Sequence, residues 1–290
     1  MKKILLTGSS GFIGEHLTSH LEKQGHVIIP ADRKSGIDLT IKSTVDFLPD
    51  VDIVLHFAAF NGTKHFYNRP LDVIRDSVLS TQYLLDRYAG KIERFVFTGS
   101  CESYAGAVDQ FDWKVPTDET VPLVISDVKN PRWSYGGSKM LNELQVLAGF
   151  HQFNQEFTII RYHNIYGPGQ IDHIIPDFIE HARKNNFVLD GWKNTRSFMY
   201  IDDAIAVTAD IIFNPNCANE ILNVGNDNEI SIRELALIIL DEMGISGELT
   251  LRDAPKGSVT RRCPNISKLK KLTGFVSKID IREGIRKILT

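Results

Sequence analysis

Short apolar runs alternate along the chain with longer stretches in which apolar positions recur every three or four residues. The runs fall at 3–7, 27–31, 53–57, 94–98 and 158–162. Runs this short and continuously apolar suit strands buried on both faces. The stretches between them, at 12–24, 71–88 and 135–153, are long enough to be crossover helices. The pattern therefore predicts an α/β chain with a doubly wound parallel sheet. After Gly167-Pro168-Gly169 the rhythm shortens, with helices expected over 175–184, 202–213, 230–242 and 281–289. This predicts a smaller C-terminal mixed α/β lobe. The expected division gives residues 1–166, with a segment returning around 193–225, to the sheet domain, and 167–192 and 226–290 to the lobe. Residues 105–133, rich in Pro, Asp and Val without clear periodicity, are expected to be a long surface excursion over a strand end.

Composition narrows the function classes. At 290 residues and 42% apolar the chain has material for a large core. A formal net charge of −3 with scattered Lys and Arg argues against nucleic acid or an acidic membrane as partner. No run approaches the roughly 20 apolar residues that span a bilayer. The charged start Met1-Lys2-Lys3 meets Thr7-Gly8 before a leader-like apolar segment develops, so no signal peptide is expected. Cys101, Cys217 and Cys263 are odd in number and widely spaced, which predicts neither a disulfide framework nor a metal site and fits a reducing cytoplasm.

The first apolar run leads directly into Gly8-Ser9-Ser10-Gly11-Phe12-Ile13-Gly14 and then a helical stretch. Glycines here allow a tight turn and let backbone approach a pyrophosphate at a helix N-terminus, where the N–H groups and the dipole favour negative charge. The arrangement predicts a Rossmann-type dinucleotide site. Asp32, after the second run, is placed to accept hydrogen bonds from the adenosine ribose and to repel a 2′-phosphate, so NAD is expected rather than NADP. Arg33 runs against this, because an arginine there is able to pair with a phosphate.

Tyr135 and Lys139 lie four apart at the start of a helical stretch and so share one face. An unperturbed Tyr titrates near about 10, and a neighbouring Lys with a positive nicotinamide ring would lower it enough for the phenolate to act as a base. Ser100 ends an intervening strand.

With these motifs in place, the sequence resembles the extended short-chain dehydrogenases/reductases, specifically the NAD-dependent epimerase/dehydratase family acting on nucleotide sugars. The likeness covers nearly the whole chain. It rests on Thr7-Gly8-Ser9-Ser10-Gly11-Phe12-Ile13-Gly14, Asp38-Leu39, His56-Phe57-Ala58-Ala59, Phe97-Thr98-Gly99-Ser100 and Tyr135-Gly136-Gly137-Ser138-Lys139. It continues through Arg161 to Gln170, Arg196 to Asp203, Asn223-Val224-Gly225 and Arg261-Arg262.

The resemblance implies that Ser100 hydrogen-bonds the reacting oxygen, Tyr135 takes its proton and the C4 hydride passes to the nicotinamide. Lys139 would also hold the nicotinamide ribose. Asp38 and Leu39 would approach the adenine, and Phe57, Ala58 and Ala59 would line the dinucleotide cleft. Asn164, Arg196 and Arg262 would grip the diphosphate or sugar; independently, two arginines suit bidentate diphosphate recognition. Family members pair through the helices expected here at 71–88 and 135–153, so a homodimer is expected. Met140, Leu141, Leu144 and Leu147 are candidates for that interface or for the core.

Departures bear on the reaction. Ser77 stands where the family usually has an Asn. Ser100 is followed by Cys101-Glu102, and family dehydratases and oxidative decarboxylases commonly carry a Glu at the Glu102 position. Glu102 is thus a candidate for proton movement, or a hydrogen-bonded carboxylate that stiffens the loop. Cys101 reads as a small filler and weakens a 4,6-dehydratase assignment, because those enzymes often pair Asp with Glu. Pro131-Arg132-Trp133 and Arg262 followed by Pro264 are similar to oxidative decarboxylases of nucleotide-linked uronic acids. The leading expectation is a nucleotide-sugar epimerase or dehydratase, with such a decarboxylase as alternative and a catalytically inactive NAD-sensing protein as the alternative of another class. His163, His173 and His181 receive no role.

Overall fold

The computed structural model describes residues 1–255 and 257–290. In chain order its strands are β1 Lys3–Thr7, β2 Val27–Ala31, β3 Ile53–His56, β4 Arg94–Ser100, β5 Phe157–Tyr162, β6 Ile165–Tyr166 and β7 Val188–Asp190. These are followed by β8 Thr195–Ser197, β9 Met199–Tyr200, β10 Glu220–Val224, β11 Glu229–Ser231, β12 Thr250–Arg252 and β13 Arg261–Arg262. The helices are α1 Phe12–Lys23, α2 Lys42–Asp46, α3 Thr63–Asn68, α4 Pro70–Tyr88, α5 Ala105–Phe111 and α6 Trp133–Phe153. The later ones are α7 Ile174–Arg183, α8 Ile201–Phe213, α9 Ile232–Glu242, α10 Ser267–Thr273 and α11 Ile281–Leu289.

Six strands form one parallel sheet in the order β10-β5-β4-β3-β1-β2. Alternate residues of each strand feed opposite faces, as the two-residue repeat of a strand requires. Ile4, Leu6, Leu55, Val96 and Ile160 join the core shared with α1 and α8. Leu5, Val54, Phe95, Phe97 and Ile159 join the core under α4 and α6. Burial on both faces explains why these strands read as continuous apolar runs. The doubly wound α/β fold expected from the sequence is present, and strand order reverses between β1 and β3, the point at which sheets of this kind receive ligands beyond the strands' carboxyl ends.

Later elements build smaller sheets: β8 pairs with β11 and β13, β7 with β12, and β6 with β9. Helix α9 begins at Ile232 rather than at 230, because Ser231 and Glu234 form a reciprocal capping box and Glu229–Ser231 is already strand.

The expectation for residues 105–133 needs correction. The segment opens with α5, and Tyr104, Ala107 and Val121 pack with Cys101 in a small apolar cluster of their own. Thr117 bridges to Pro264 and donates its N–H to the Cys263 carbonyl. Buried small residues and long-range backbone bonds, neither of which has a period, tie the excursion to the β13 segment.

Candidate active site

The chain leaves β1 through Gly8, whose φ of +68° is a left-handed conformation open to glycine. A Cβ on Gly8 would lie 2.8 Å from the Ala58 nitrogen, and one on Gly14 would lie 2.1 Å from the Gly8 carbonyl oxygen. Only glycine lets α1 sit so close to the loop. Gly11 caps α1 without a side-chain hydrogen bond, which leaves backbone N–H groups of the first turn for an anion. The cradle and its exposed donors fit a pyrophosphate.

Thr7 fixes the strand ends beside this loop. Its Oγ1 accepts the N–H groups of Phe57 and Ala58, both at 3.0 Å, and therefore donates to Nδ1 of His56 at 2.8 Å. His56 then donates from Nε2 to Thr81 Oγ1 at 3.0 Å, and Thr81 donates to the Ser77 carbonyl. Burial pushes His56 down to about 3, so the ring is neutral and the chain of donors has one direction. Phe57 and Ala58 are half-buried and Ala59 is exposed.

Asp32 accepts from the hydroxyls of Ser9 and Ser10 and from the N–H of Ser10 through one oxygen, and from the Ser35 N–H through the other. Burial opposes its ionisation, but these bonds outweigh burial and hold the carboxyl far below the usual range. Arg33 is held through two of its three guanidinium nitrogens: Nε lies 3.1 Å from Asp38 and Nη2 lies 2.8 Å from Asp76. Asp38 also accepts from Thr40, and Leu39 is buried against the core under α4. The competing reading of Arg33 as a phosphate ligand loses its main support.

At the carboxyl end of β4, Ser100 caps a 3-10 turn over Cys101–Tyr104, accepting the Glu102 N–H. A Cβ on Gly136 would stand 2.8 Å from the Glu102 carbonyl, so that glycine seats the first turn of α6 on this turn. Tyr135 and Lys139 are brought together on one face, with the Lys139 Nζ 5.9 Å from the Tyr135 ring centre. Phe66 of α3 stacks on Tyr135 at 4.9 Å between ring centres.

Of the two charges expected to lower Tyr135, Lys139 alone does not do so. Lys139 is buried, donates to the Thr98 carbonyl at 2.7 Å and lies over the Phe97 ring. Burial brings it down to about 7, opposed by Glu143 one turn along α6. Tyr135 is pushed up rather than down, by burial and then by the charge of Glu102, with the Ser100 hydroxyl opposing. With Lys139 turned to a backbone carbonyl, burial decides the direction of the phenol.

Glu102 sits among arginines. Arg262 Nη2 lies 2.8 Å from one of its oxygens and Arg132 Nη2 lies 3.4 Å from the other. Burial alone would raise its pKa, yet Arg262, Arg132 and Arg196 bring it to about 2. Arg262 is raised in turn, Glu102 outweighing burial. Arg196 spends its donors on the carbonyls of Thr195, Val259 and Thr260, and burial followed by repulsion from Arg262 lowers it to about 9. Asn164 donates to the Ser197 carbonyl. Arg196 on β8 and Arg262 on β13 therefore stand beside the Glu102 turn, and Asn164 is tied to the end of β8.

Four residues lie outside the roles that the sequence reading assigned. Asn142, three residues beyond Lys139 on α6, accepts from the Ser77 hydroxyl at 2.5 Å and donates to its carbonyl, so a neighbouring helix supplies an amide opposite the serine. The positions 135, 139 and 142 share one helical face, and that spacing was the available signal. Glu143 and Arg161 form a bidentate buried pair that no spacing reveals. His163, given no role, accepts or donates at 2.6 Å to the Tyr104 hydroxyl deep in the structure. Among the described residues no helix is long and apolar enough to cross a membrane.

The sequence profile of the NAD dependent epimerase/dehydratase family matches residues 4–225. The chain is 30% identical over 309 residues to a putative UDP-glucose 4-epimerase of Methanocaldococcus jannaschii, covering 99% of this chain and 97% of that protein. It is 28% identical over 319 residues, with coverage of 99% and 97%, to a UDP-N-acetyl-alpha-D-glucosaminuronate decarboxylase of Bacillus cytotoxicus. In fold it is similar to the crystal structure of a UDP-glucose 4-epimerase from Thermotoga maritima solved with UDP-glucose. There the TM-score is 0.88 at 22% identity, covering 99% of this chain and 97% of that one.

Proposed function

The chain belongs to the NAD dependent epimerase/dehydratase family, and on that premise we propose that it oxidises the C4 hydroxyl of a nucleotide-diphosphate sugar and passes the intermediate on to an epimer or a dehydrated product. The observation that carries the reading is the meeting of Tyr135, Lys139 and the Ser100 turn at the carboxyl end of β4, beside the glycine cradle. NAD, when bound, supplies the hydride acceptor. Gly8, Ser10, Gly11, Phe12, Ile13 and Gly14 would hold its diphosphate, Asp32 and Arg33 would frame the adenosine ribose, and Asp38 and Leu39 would meet the adenine. Phe57, Ala58 and Ala59 would wall the crevice up to Tyr135 and Lys139.

Ser100 would donate to the C4 oxygen and orient it, and Tyr135 would take the proton. Because burial and Glu102 push the phenol up, proton removal depends on positive charge arriving near it. Lys139, near 7, stands one turn away to provide it. Asn164, Arg196 and Arg262 would receive the diphosphate and sugar.

A second reading, a decarboxylase of a nucleotide-linked uronic acid, is favoured by one specific feature. Three guanidiniums, Arg132, Arg196 and Arg262, surround the single carboxylate of Glu102. That surplus of positive charge suits a substrate with an acid group on its sugar. Helices α4 and α6 also leave Leu71, Ile74, Leu141 and Leu144 exposed, and we assign that face to a homodimer; Leu147 packs on the core instead. Three buried, unpaired cysteines suit a cytoplasmic placement.

The test is product analysis. Purified protein is incubated with UDP-, GDP-, CDP- and dTDP-linked hexoses and uronic acids, with products identified by mass spectrometry and carbon dioxide trapped. A new epimer or a loss of water supports the first reading. Carbon dioxide from a uronic acid alone supports the second. No bound nucleotide and no oxidation of any sugar overturns both.

A further inference from the structure

Resting on the NAD reading above, we propose that Asp76 is a specificity-determining residue for the cofactor, holding the Nη2 arm of Arg33 by its charge so that the guanidinium cannot offer its fork to a ribose 2′-phosphate. Asp32 directly follows β2, and the residue after it is an arginine, the side chain best suited to bidentate phosphate binding. Sequence alone leaves these two neighbours in opposition. The fold resolves it from a distance of 43 residues in sequence, through a buried carboxylate on α4.

Arg33 Nη2 is 2.8 Å from Asp76 Oδ2, and its Nε is 3.1 Å from Asp38 Oδ2. The guanidinium fork is thus occupied on two sides by carboxylates. Asp38 is itself fixed by the backbone and hydroxyl of Thr40, so its arm does not swing. Asp76 is buried in the shoulder of α4 and also meets Arg75, which keeps it from leaving with a departing Arg33. A phosphate approaching Arg33 would meet Asp32, Asp38 and Asp76 around one cation. Two acidic residues on separate elements therefore do jointly what Asp32 does alone at the ribose, and Asp76 does it without touching the dinucleotide.

The test measures binding rather than turnover. Nucleotide-stripped wild type, D32S, D32S/D76N and D32S/R33A/D76N are titrated with NAD and NADP by calorimetry. Removing Asp32 clears the direct repulsion, and removing the Asp76 charge then releases the Nη2 arm of Arg33, Asp38 still holding Nε. D32S/D76N is expected to bind NADP at least about tenfold tighter than D32S, the scale of one charge-assisted hydrogen bond. Adding R33A should abolish that gain. D32S/D76N that binds NADP no better than D32S, or a gain that survives R33A, overturns the proposal while leaving the NAD reading intact. Wild type that binds neither dinucleotide overturns the NAD reading and this inference with it. D32S/D76S removes the same charge with a smaller side chain and carries the same expectation if D32S/D76N does not fold.

Discussion

Lys139 holds its ammonium 2.7 Å from the carbonyl oxygen of Thr98, in a site where the lysine side chain is almost wholly removed from water. One hydrogen bond to a neutral carbonyl does not replace the hydration of a cation, which is why burial lowers this lysine to about 7. The unfolded chain keeps a lysine near about 10.4 and so binds more protons between these values. Stability therefore rises with pH across that window, and the cost of the lysine is fully present below it. Each pKa unit corresponds to about 1.4 kcal/mol, so the cost near neutrality is a few kcal/mol. Lys139→Met in the nucleotide-free protein is expected to melt above wild type at pH 7, with the gap closing towards pH 10. Paired thermal melts across that range check it, and a gap independent of pH would contradict the burial argument.

Tyr135 gives the kinetic counterpart. Phe66 stacks on its ring and α6 fixes its backbone, so Tyr135→Phe removes the hydroxyl with little else disturbed. Turnover of the identified substrate should fall by about 100-fold or more, the usual effect of losing a general base. Bound nucleotide, measured after denaturing the protein, should change little. Turnover near wild type would remove Tyr135 from the chemistry.

Glu102 shows the same sign of proton linkage, stability rising with pH, but here the charged form stabilises the fold. Arg262 and Arg132 hold it at about 2, below the unfolded value near about 4.3. Its stabilising contribution is present above the unfolded value and is lost as pH falls towards the folded one. Glu102→Gln also leaves a buried arginine without its counter-charge, a loss of about 3–5 kcal/mol at neutral pH. Urea unfolding of wild type and variant should differ most at pH 6–7 and converge towards pH 3. Parallel curves over that range would mean that the carboxylate is not held by the arginines.

Most of the sheet was legible because its signals are local. β1 runs over the expected residues and β5 differs by one, since a strand buried on both faces has nowhere to place polar residues; the edge strand β2 also runs as expected, though only Ala31 in it is buried. The glycine loop and the 135/139 pair were equally readable, because a positive φ and a single helical turn are properties of short segments. The companions of these groups were not readable. Asp76 reaches Arg33, Asn142 reaches Ser77, and Glu119 of the 105–133 excursion accepts the N–H of Asn223 on the edge strand β10. Each of these contacts depends on tertiary packing, and a buried polar group looks in sequence like an exposed one. The same limit hid the direction of Lys139, because spacing places it on the face of Tyr135 but does not say that Thr98 has a free carbonyl within reach.

Glu143 is the residue through which that buried lysine can be adjusted without touching substrate. It sits one turn beyond Lys139 on α6, is buried, and accepts two arms of Arg161 at 3.0 and 2.8 Å. Its charge opposes the effect of burial on Lys139, so Glu143→Gln should lower the lysine further below about 7. If turnover needs the ammonium, the basic limb of the kcat/KM profile then moves to lower pH. Arg161→Gln breaks the same pair from the other side and should cost a similar amount of stability, about 3–5 kcal/mol for either variant. It leaves the carboxylate near Lys139, however, so the basic limb should not move down. Loss of stability in both variants with a downward shift only in Glu143→Gln separates an electrostatic role from a purely structural one. Equal pH profiles in the two would show that the pair acts on Lys139 only by holding α6 against β5.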